Sequence, residues 1–226
     1  MLKITCVHTA ASPKIMELLE REFSSAVKTK FTLAHITLPE VIAEAIECGS
    51  ISGHSVAKLL GAYNFCRASG ADIVVNICSS VGHIADKTQE AYAATGMQLI
   101  RIDEGMCREA AIHHKRIAVL GTLPFTLEPS VELLSRIGRE IGSKLTVKAV
   151  LAEGGFGKSQ DELNRLLCDS VRRNMADIDA VILAQASMVF AESELAANTG
   201  LPIYSSPKYA ARQIARLVDC DNRDEE

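Results

Sequence analysis

The chain has no tryptophan, and only 4% of its residues are aromatic, so it offers no obvious stacking platform for a large aryl group. Basic residues are not in excess either. The net charge is -4, and no stretch interleaves Lys or Arg with aromatics, which argues against a surface that follows a nucleic-acid backbone. No uninterrupted apolar run approaches the ~18 residues that mark a membrane span. The start, Met1-Leu2-Lys3-Ile4-Thr5-Cys6-Val7-His8, lacks the long apolar region and small-residue cleavage site of a secretory signal. A soluble, cytoplasmic protein is expected, with neither nucleic acid nor membrane among its partners. The seven cysteines are an odd number and form no C-x-x-C pair, so neither a disulfide framework nor a zinc ribbon is indicated. His113 and His114 would point apart on a helix and have no carboxylate-rich partner motif, so no metal site is expected.

What is present is the composition of an ordinary globular enzyme, 48% hydrophobic and 23% charged over 226 residues. Apolar strands alternate with amphipathic helices, the pattern of parallel sheets covered by helices. The first strand is expected over Leu2 to Val7, and Ser12-Pro13 reads as the N-cap and first residue of a helix. Met16, Leu19, Phe23 and Val27 mark one face of that helix. A second strand follows near Phe31 to Ile36, then a helix from Ser55 to Ser69 closed by Gly70, a strand from Asp72, a helix from Ile84 to Thr95 and a short strand from Gln98 to Ile102. A connecting helix near Glu104 to His113 leads to Arg116 to Leu120, which begins a new cycle of strand, loop and helix. That cycle continues with a strand at Leu145 to Leu151, a helix at Asp161 to Met175 and a strand at Ala180 to Leu183. Ser206-Pro207 caps a last helix, with Asp219 to Glu226 as a frayed acidic tail. Cys6 in the first strand, Cys66 and Cys168 in helices, and Cys220 in the tail read as fillers or free thiols.

Two units recur in order. Shifting by 107 positions places Asp72 on Asp179 and Cys78 on Gln185, and shifting by 113 places Ile4 and Thr9 on Ile117 and Thr122. The natural reading is a duplicated α/β fold. In open parallel sheets ligands bind beyond the carboxyl ends of strands, and Thr9, Ser12, Cys78, Ser79, Ser80, Thr122, Thr126, Gln185 and Ser187 all follow such ends. If the halves face one another, these residues converge on one cleft that offers a single thiol and many neutral donors, which suits a small carboxylate.

These residues resemble the aspartate/glutamate racemase superfamily, whose members include hydantoin racemases, maleate isomerases and arylmalonate decarboxylases. The resemblance spans nearly the whole chain. It rests on Val75-Asn76-Ile77-Cys78-Ser79-Ser80-Val81-Gly82, the loop Leu120-Gly121-Thr122-Leu123-Pro124-Phe125-Thr126, the strand end Ile182-Leu183-Ala184-Gln185-Ala186-Ser187-Met188, and Ser205-Ser206-Pro207. It implies two similar α/β domains whose parallel sheets face across a central cleft, residues 1–112 with 204–226 and residues 113–203, the last helix returning to the first domain. It also implies no cofactor and a homo-oligomer, a dimer or higher. Family racemases flank the substrate α-carbon with two cysteines. Here Cys78-Ser79-Ser80 keeps the first thiol, while Ala184-Gln185-Ala186 replaces the second, and Gln cannot exchange a proton at neutral pH.

With one thiol the expected chemistry is one-sided. Hydrogen-bond donors around a strand end lower a thiol's pKa and also stabilise the enediolate formed when an α-carbon loses a proton or carbon dioxide. An isomerase or decarboxylase-like lyase with Cys78 as acid/base is the leading expectation. The alternatives are an amino-acid or hydantoin racemase with a second base that is not cysteine, such as His83, His8 or a bound water, and a non-catalytic small-carboxylate binder. A remote alternative is a nucleotide hydrolase, because Ala152-Glu153-Gly154-Gly155-Phe156-Gly157-Lys158-Ser159 resembles a P-loop whose first Gly is Ala.

Overall fold

The computed structural model describes residues 1–221; residues 222–226 of the expected tail and the side chain of Cys220 lie outside the described residues. Contacts divide the chain into two compact units, Met1–Ile102 with the segment from Pro207 onward, and Asp103–Ser206.

The first unit is built on four parallel strands in the order β2-β1-β3-β4: β1 (Leu2–His8), β2 (Phe31–Thr37), β3 (Ile73–Asn76) and β4 (Gln98–Arg101). Its helices are α1 (Pro13–Ala26), α2 (Pro39–Cys48), α3 (Gly53–Ala68), α4 (Gly82–Ala93) and, after the second unit, α9 (Ser206–Asp221). Central strand β3 is buried along its whole length, as a strand with neighbours on both sides and helices on both faces must be. Val7, Leu59, Tyr63, Val74, Val81 and Leu99 form the core between the sheet and α2, α3 and α4.

The second unit repeats this plan with β5 (Arg116–Gly121), β6 (Thr146–Leu151), β7 (Ala180–Leu183) and β8 (Ile203–Tyr204) in the order β6-β5-β7-β8, again all parallel. Its helices are α5 (Glu104–His113), α6 (Pro124–Glu140), α7 (Gln160–Arg172) and α8 (Glu192–Thr199). Leu120, Val150, Leu167, Val181, Leu183 and Leu195 make its core. α5, expected to go with the first half, packs on α6 and β7 and is counted with the second unit.

The strand registers bear on the internal echo. Ile4 pairs with Ile73 across β1 and β3, and Ile117 pairs with Ala180 across β5 and β7. These pairs are related by the shifts of 113 and 107 read from the sequence. The echo of Asp72 in Asp179 has a physical role. Asp72 accepts from Lys3 N–H at 2.7 Å while its own N–H donates to Lys3 O, and Asp179 accepts from Arg116 N–H at 3.0 Å while its N–H donates to Arg116 O. Each carboxylate thus satisfies a backbone donor where a central strand begins.

Local signals account for most helix starts. Ser12 accepts from Ile15 N–H at 3.4 Å with Pro13 next, and Ser159 and Glu162 form a full capping box on α7. The apolar face of α1 is centred on Ile15, Leu18, Leu19 and Phe23, with Met16 only half-buried. Two helices, α2 and α8, lie outside the expected set, although both stop at a glycine in the left-handed region, Gly49 (φ 72) and Gly200 (φ 69). The last helix runs through Asp221, so Asp219 is helical rather than part of a frayed tail. No helix among the described residues is long and apolar enough to cross a membrane.

Candidate functional site

In each unit the first strand sends its chain outward to the second strand on one side and has the third on the other. This is a topological switch point, and the crevice beyond the carboxyl ends of those two strands is where such sheets bind ligands. In the first unit that crevice lies past His8 on β1 and past Asn76 on β3.

Ile77 N–H donates to Val7 O at 2.9 Å, extending the β1–β3 ladder one step beyond β3. Cys78 then leaves the ladder and caps a 3-10 turn over Ser79–Val81, in extended backbone at φ -100 and ψ 110. The thiol-bearing residue is half-buried, whereas Ser79 and Ser80 are 4% and 3% exposed. The Ser79 hydroxyl has no hydrogen-bond partner among the described residues, and neither does the side-chain oxygen of Asn76, whose amide N–H donates to Cys78 O at 2.9 Å. On β1, buried Thr9 follows the last strand residue, and Ser12 is exposed at the start of α1.

Two buried residues of this region, one beside Cys78 and one beside Asn76, were not among those expected. Tyr63 of α3 is fully buried with its hydroxyl unpaired among the described residues, and burial first, then the nearby Cys78 thiol, push its ionisation well above the ordinary tyrosine range. Arg101, at the end of β4, is the in-register neighbour of Asn76, is 1% exposed, and pairs with Asp86 of α4 at 2.6 Å. Its guanidinium lies against the first residue of α4. A Cβ on Gly82 would sit 2.5 Å from it, so a larger residue there would have to displace the buried guanidinium. The one signal for Arg101 in the sequence was a cation inside an apolar strand.

In the second unit the equivalent hydrogen bond is Ala184 N–H to Leu120 O at 2.9 Å, which makes Gln185 the structural counterpart of Cys78 and Thr122 that of Thr9. The Gln185 side-chain oxygen accepts two hydrogen bonds, from Thr122 N–H and from the Thr122 hydroxyl, both at 2.8 Å. Of the two roles the sequence leaves open to Gln185, donating to a substrate oxygen or pairing with backbone, its oxygen takes the second and ties the ends of β5 and β7 together. Thr126 is buried in the first turn of α6, Ala186 is buried, and Ser187 is exposed. The structure therefore groups Thr9, Cys78, Ser79 and Ser80 at one switch point, and Thr122 with Gln185 at the other.

The P-loop-like segment is a turn between β6 and α7, with Gly154 and Gly157 at positive φ. Its helix start carries its own capping box, in which Glu162 takes the Ser159 N–H and hydroxyl and a carboxylate stands where a P-loop would meet a phosphate. The preceding β6 is also an edge strand. His113 and His114 do diverge, His113 toward Glu109 at 3.4 Å and His114 toward Tyr204 at 2.8 Å. The metal-type donors that converge are others: Cys6, His8 and His35.

The model of the Asp/Glu/hydantoin racemases matches residues 4–214. The chain belongs to the Asp/Glu/hydantoin racemase family. Solved racemases share its fold. A glutamate racemase from Bacillus anthracis superposes with a TM-score of 0.76 at 15% identity, covering 97% of this chain and 82% of that one. An allantoin racemase from Klebsiella pneumoniae gives 0.65 at 16% identity over 98% and 89%. An aspartate racemase homologue from Pyrococcus horikoshii gives 0.64 at 16% identity over 97% and 100%. No curated protein matches the sequence. Membership in the racemase family makes the protein an isomerase of racemase type and implies a small carboxylate substrate.

Proposed function

We propose that the protein is a cofactor-independent isomerase acting at the α-carbon of a small carboxylate or related carbonyl compound, with Cys78 as its single cysteine acid/base. The observation that carries this reading is the contrast between the two register-equivalent strand ends. One presents a half-exposed thiol. The other presents an amide whose oxygen already holds the two Thr122 donors.

Gln185 also indicates what the donors are for. Its oxygen is a neutral analogue of a carboxylate oxygen, and it sits where a backbone N–H and a threonine hydroxyl converge. In the first unit the counterparts of those donors belong to Thr9, one residue past β1. There they are offered to the substrate, together with the Ser79 hydroxyl. Such donors gain strength as charge moves onto the carboxylate in the enediolate, so they favour the transition state over the ground state.

In the reaction the Cys78 thiolate takes the α-proton, leaving the electron pair delocalised onto the carboxyl or carbonyl oxygens. The proton then returns to carbon, from the same thiol with retention or from solvent on the other face with inversion. Gln185 has no proton to exchange at neutral pH, so it holds geometry rather than taking the second acid's place. The test is incubation of amino acids, hydantoins, hydroxy acids and malonates in deuterated water. Deuterium at the α-carbon that disappears in Cys78→Ser supports the reading. Exchange that persists in that variant removes Cys78 from the mechanism, and carbon dioxide release from malonates identifies a lyase instead.

A further inference from the structure

Cys6 and His8 are two residues apart on β1 and so project from the same face of the sheet, and His35 on β2 is the in-register neighbour of Cys6 and shares that face. A strand pair that places donors at i, i+2 and directly across presents three atoms to one point. Here the Cys6 sulfur and one nitrogen of each ring all lie within 4.8 Å of one another, with His8 Nε2 2.9 Å from His35 Nδ1. Tetrahedral Zn–S and Zn–N bonds put such donors roughly 3.3–3.6 Å apart. The observed cluster therefore needs only small adjustments to enclose an ion. Cys6 and His8 are fully buried, while half-buried His35 leaves a route from solvent.

The second unit supplies an internal control. The register-equivalent positions there are Val119, Gly121 and Ala149, with Val119 paired to Ala149 as Cys6 is to His35. The same strand pair is thus built without any polar side chain at these places. Burying a thiol and one imidazole, and half-burying a second, carries a desolvation cost that the fold does not require.

We propose that Cys6, His8 and His35 bind one zinc ion that clips the carboxyl ends of β1 and β2 together beside Thr9. One thiolate with two imidazoles suits zinc and disfavours magnesium or calcium, which seek oxygen. Binding releases one proton, from Cys6, and the ring hydrogen shared between the histidines moves to the other nitrogen of its own ring. The site is separate from Cys78 and stands or falls apart from the isomerase reading.

The test is titration of the full-length, EDTA-stripped protein with Co²⁺ as a spectroscopic probe. A thiolate-to-cobalt charge-transfer band that saturates at one equivalent and is displaced by Zn²⁺ is expected. The band should survive in Cys78→Ser and vanish in Cys6→Ala. His35→Ala, at a half-buried position, should keep its circular dichroism and lose at least about tenfold in affinity, since loss of even an outer-shell partner of a metal ligand costs about 10–100-fold. Absence of the band, its survival in Cys6→Ala, or wild-type affinity in folded His35→Ala would each overturn the site.

Discussion

The strand ends at Cys78 and at Gln185 occupy the same place in two copies of one plan, yet they are finished differently. At Cys78 the chain turns into a short 3-10 segment, and a hydroxyl and an amide oxygen nearby are unpaired among the described residues, while Arg101, buried, pairs with half-buried Asp86 of the next helix. At Gln185 the side chain closes on Thr122 and satisfies both donors. Buried polar groups are ordinarily paired, so unpaired ones are places a ligand can complete. The proposed function takes the second strand end as structural and the first as the one that meets a reactant.

The largest test of the contrast is kinetic. Cys78→Ser should lower α-proton exchange by about 10²–10⁴-fold, the usual weight of a general acid/base, while Gln185→Ala should retain most exchange and lose stability instead. Equal kinetic losses at both positions would dissolve the distinction.

Next comes the packing under the thiol. Gly82→Ala forces the Arg101 guanidinium to shift away from Asp86, and overpacking of this kind costs about 1–3 kcal/mol, readable as a lower urea midpoint. The same substitution at Gly142, where a Cβ meets nothing within 4 Å, separates crowding from the backbone strain of its positive φ (67).

A comparable effect is expected in alkali. Burial pushes the Cys66 thiol of α3, beside Tyr63, from its ordinary 9.0 up to about 11. Between those values the unfolded chain has lost the proton that the folded chain keeps, so stability falls as pH rises, by roughly 2–3 kcal/mol in all. Tyr63, raised for the same reason, acts in the same direction at higher pH. Urea titrations at pH 8 and pH 10.5 should show the loss, and Cys66→Ala should reduce it.

Smaller effects separate the two threonines. Thr122→Val removes one of the two donors to Gln185 and should cost about 1 kcal/mol in thermal unfolding. Thr9→Val should act on substrate turnover more than on melting. The smallest difference is expected between Asp72→Ala and Asp179→Ala. Both remove an acceptor for a backbone N–H at the start of a central strand, and each should cost about 0.5–1.5 kcal/mol, with the two losses nearly equal if the repeat is as regular as its registers.

Periodicity and turn residues made most elements readable in advance, because they act over a few residues. β7 was expected over Ala180 to Leu183 and stands there. The helices α2 and α8 went unread although Gly49 and Gly200 marked their ends, since neither has a wide apolar stripe; α2 buries only Val41 and Ala45, and α8 only Leu195 and Thr199. Cys78 was legible as a thiol closing an apolar run. Arg101, Tyr63 and Gly82 were not, because what joins them to it is contact between β4, α3 and α4 and not spacing along the chain.

The sequence by itself determined the strand and helix alternation, the two offsets that relate the halves, and the presence of a thiol at one strand end and an amide at the other. Those features are local or periodic, and chain chemistry alone sets them. Tertiary structure decided what the amide does, which cation lies under the thiol's turn, and that Cys6, His8 and His35 meet. Each of these depends on which strands lie side by side and in what register, and hydrogen bonds across a sheet settle that, joining residues far apart in the chain.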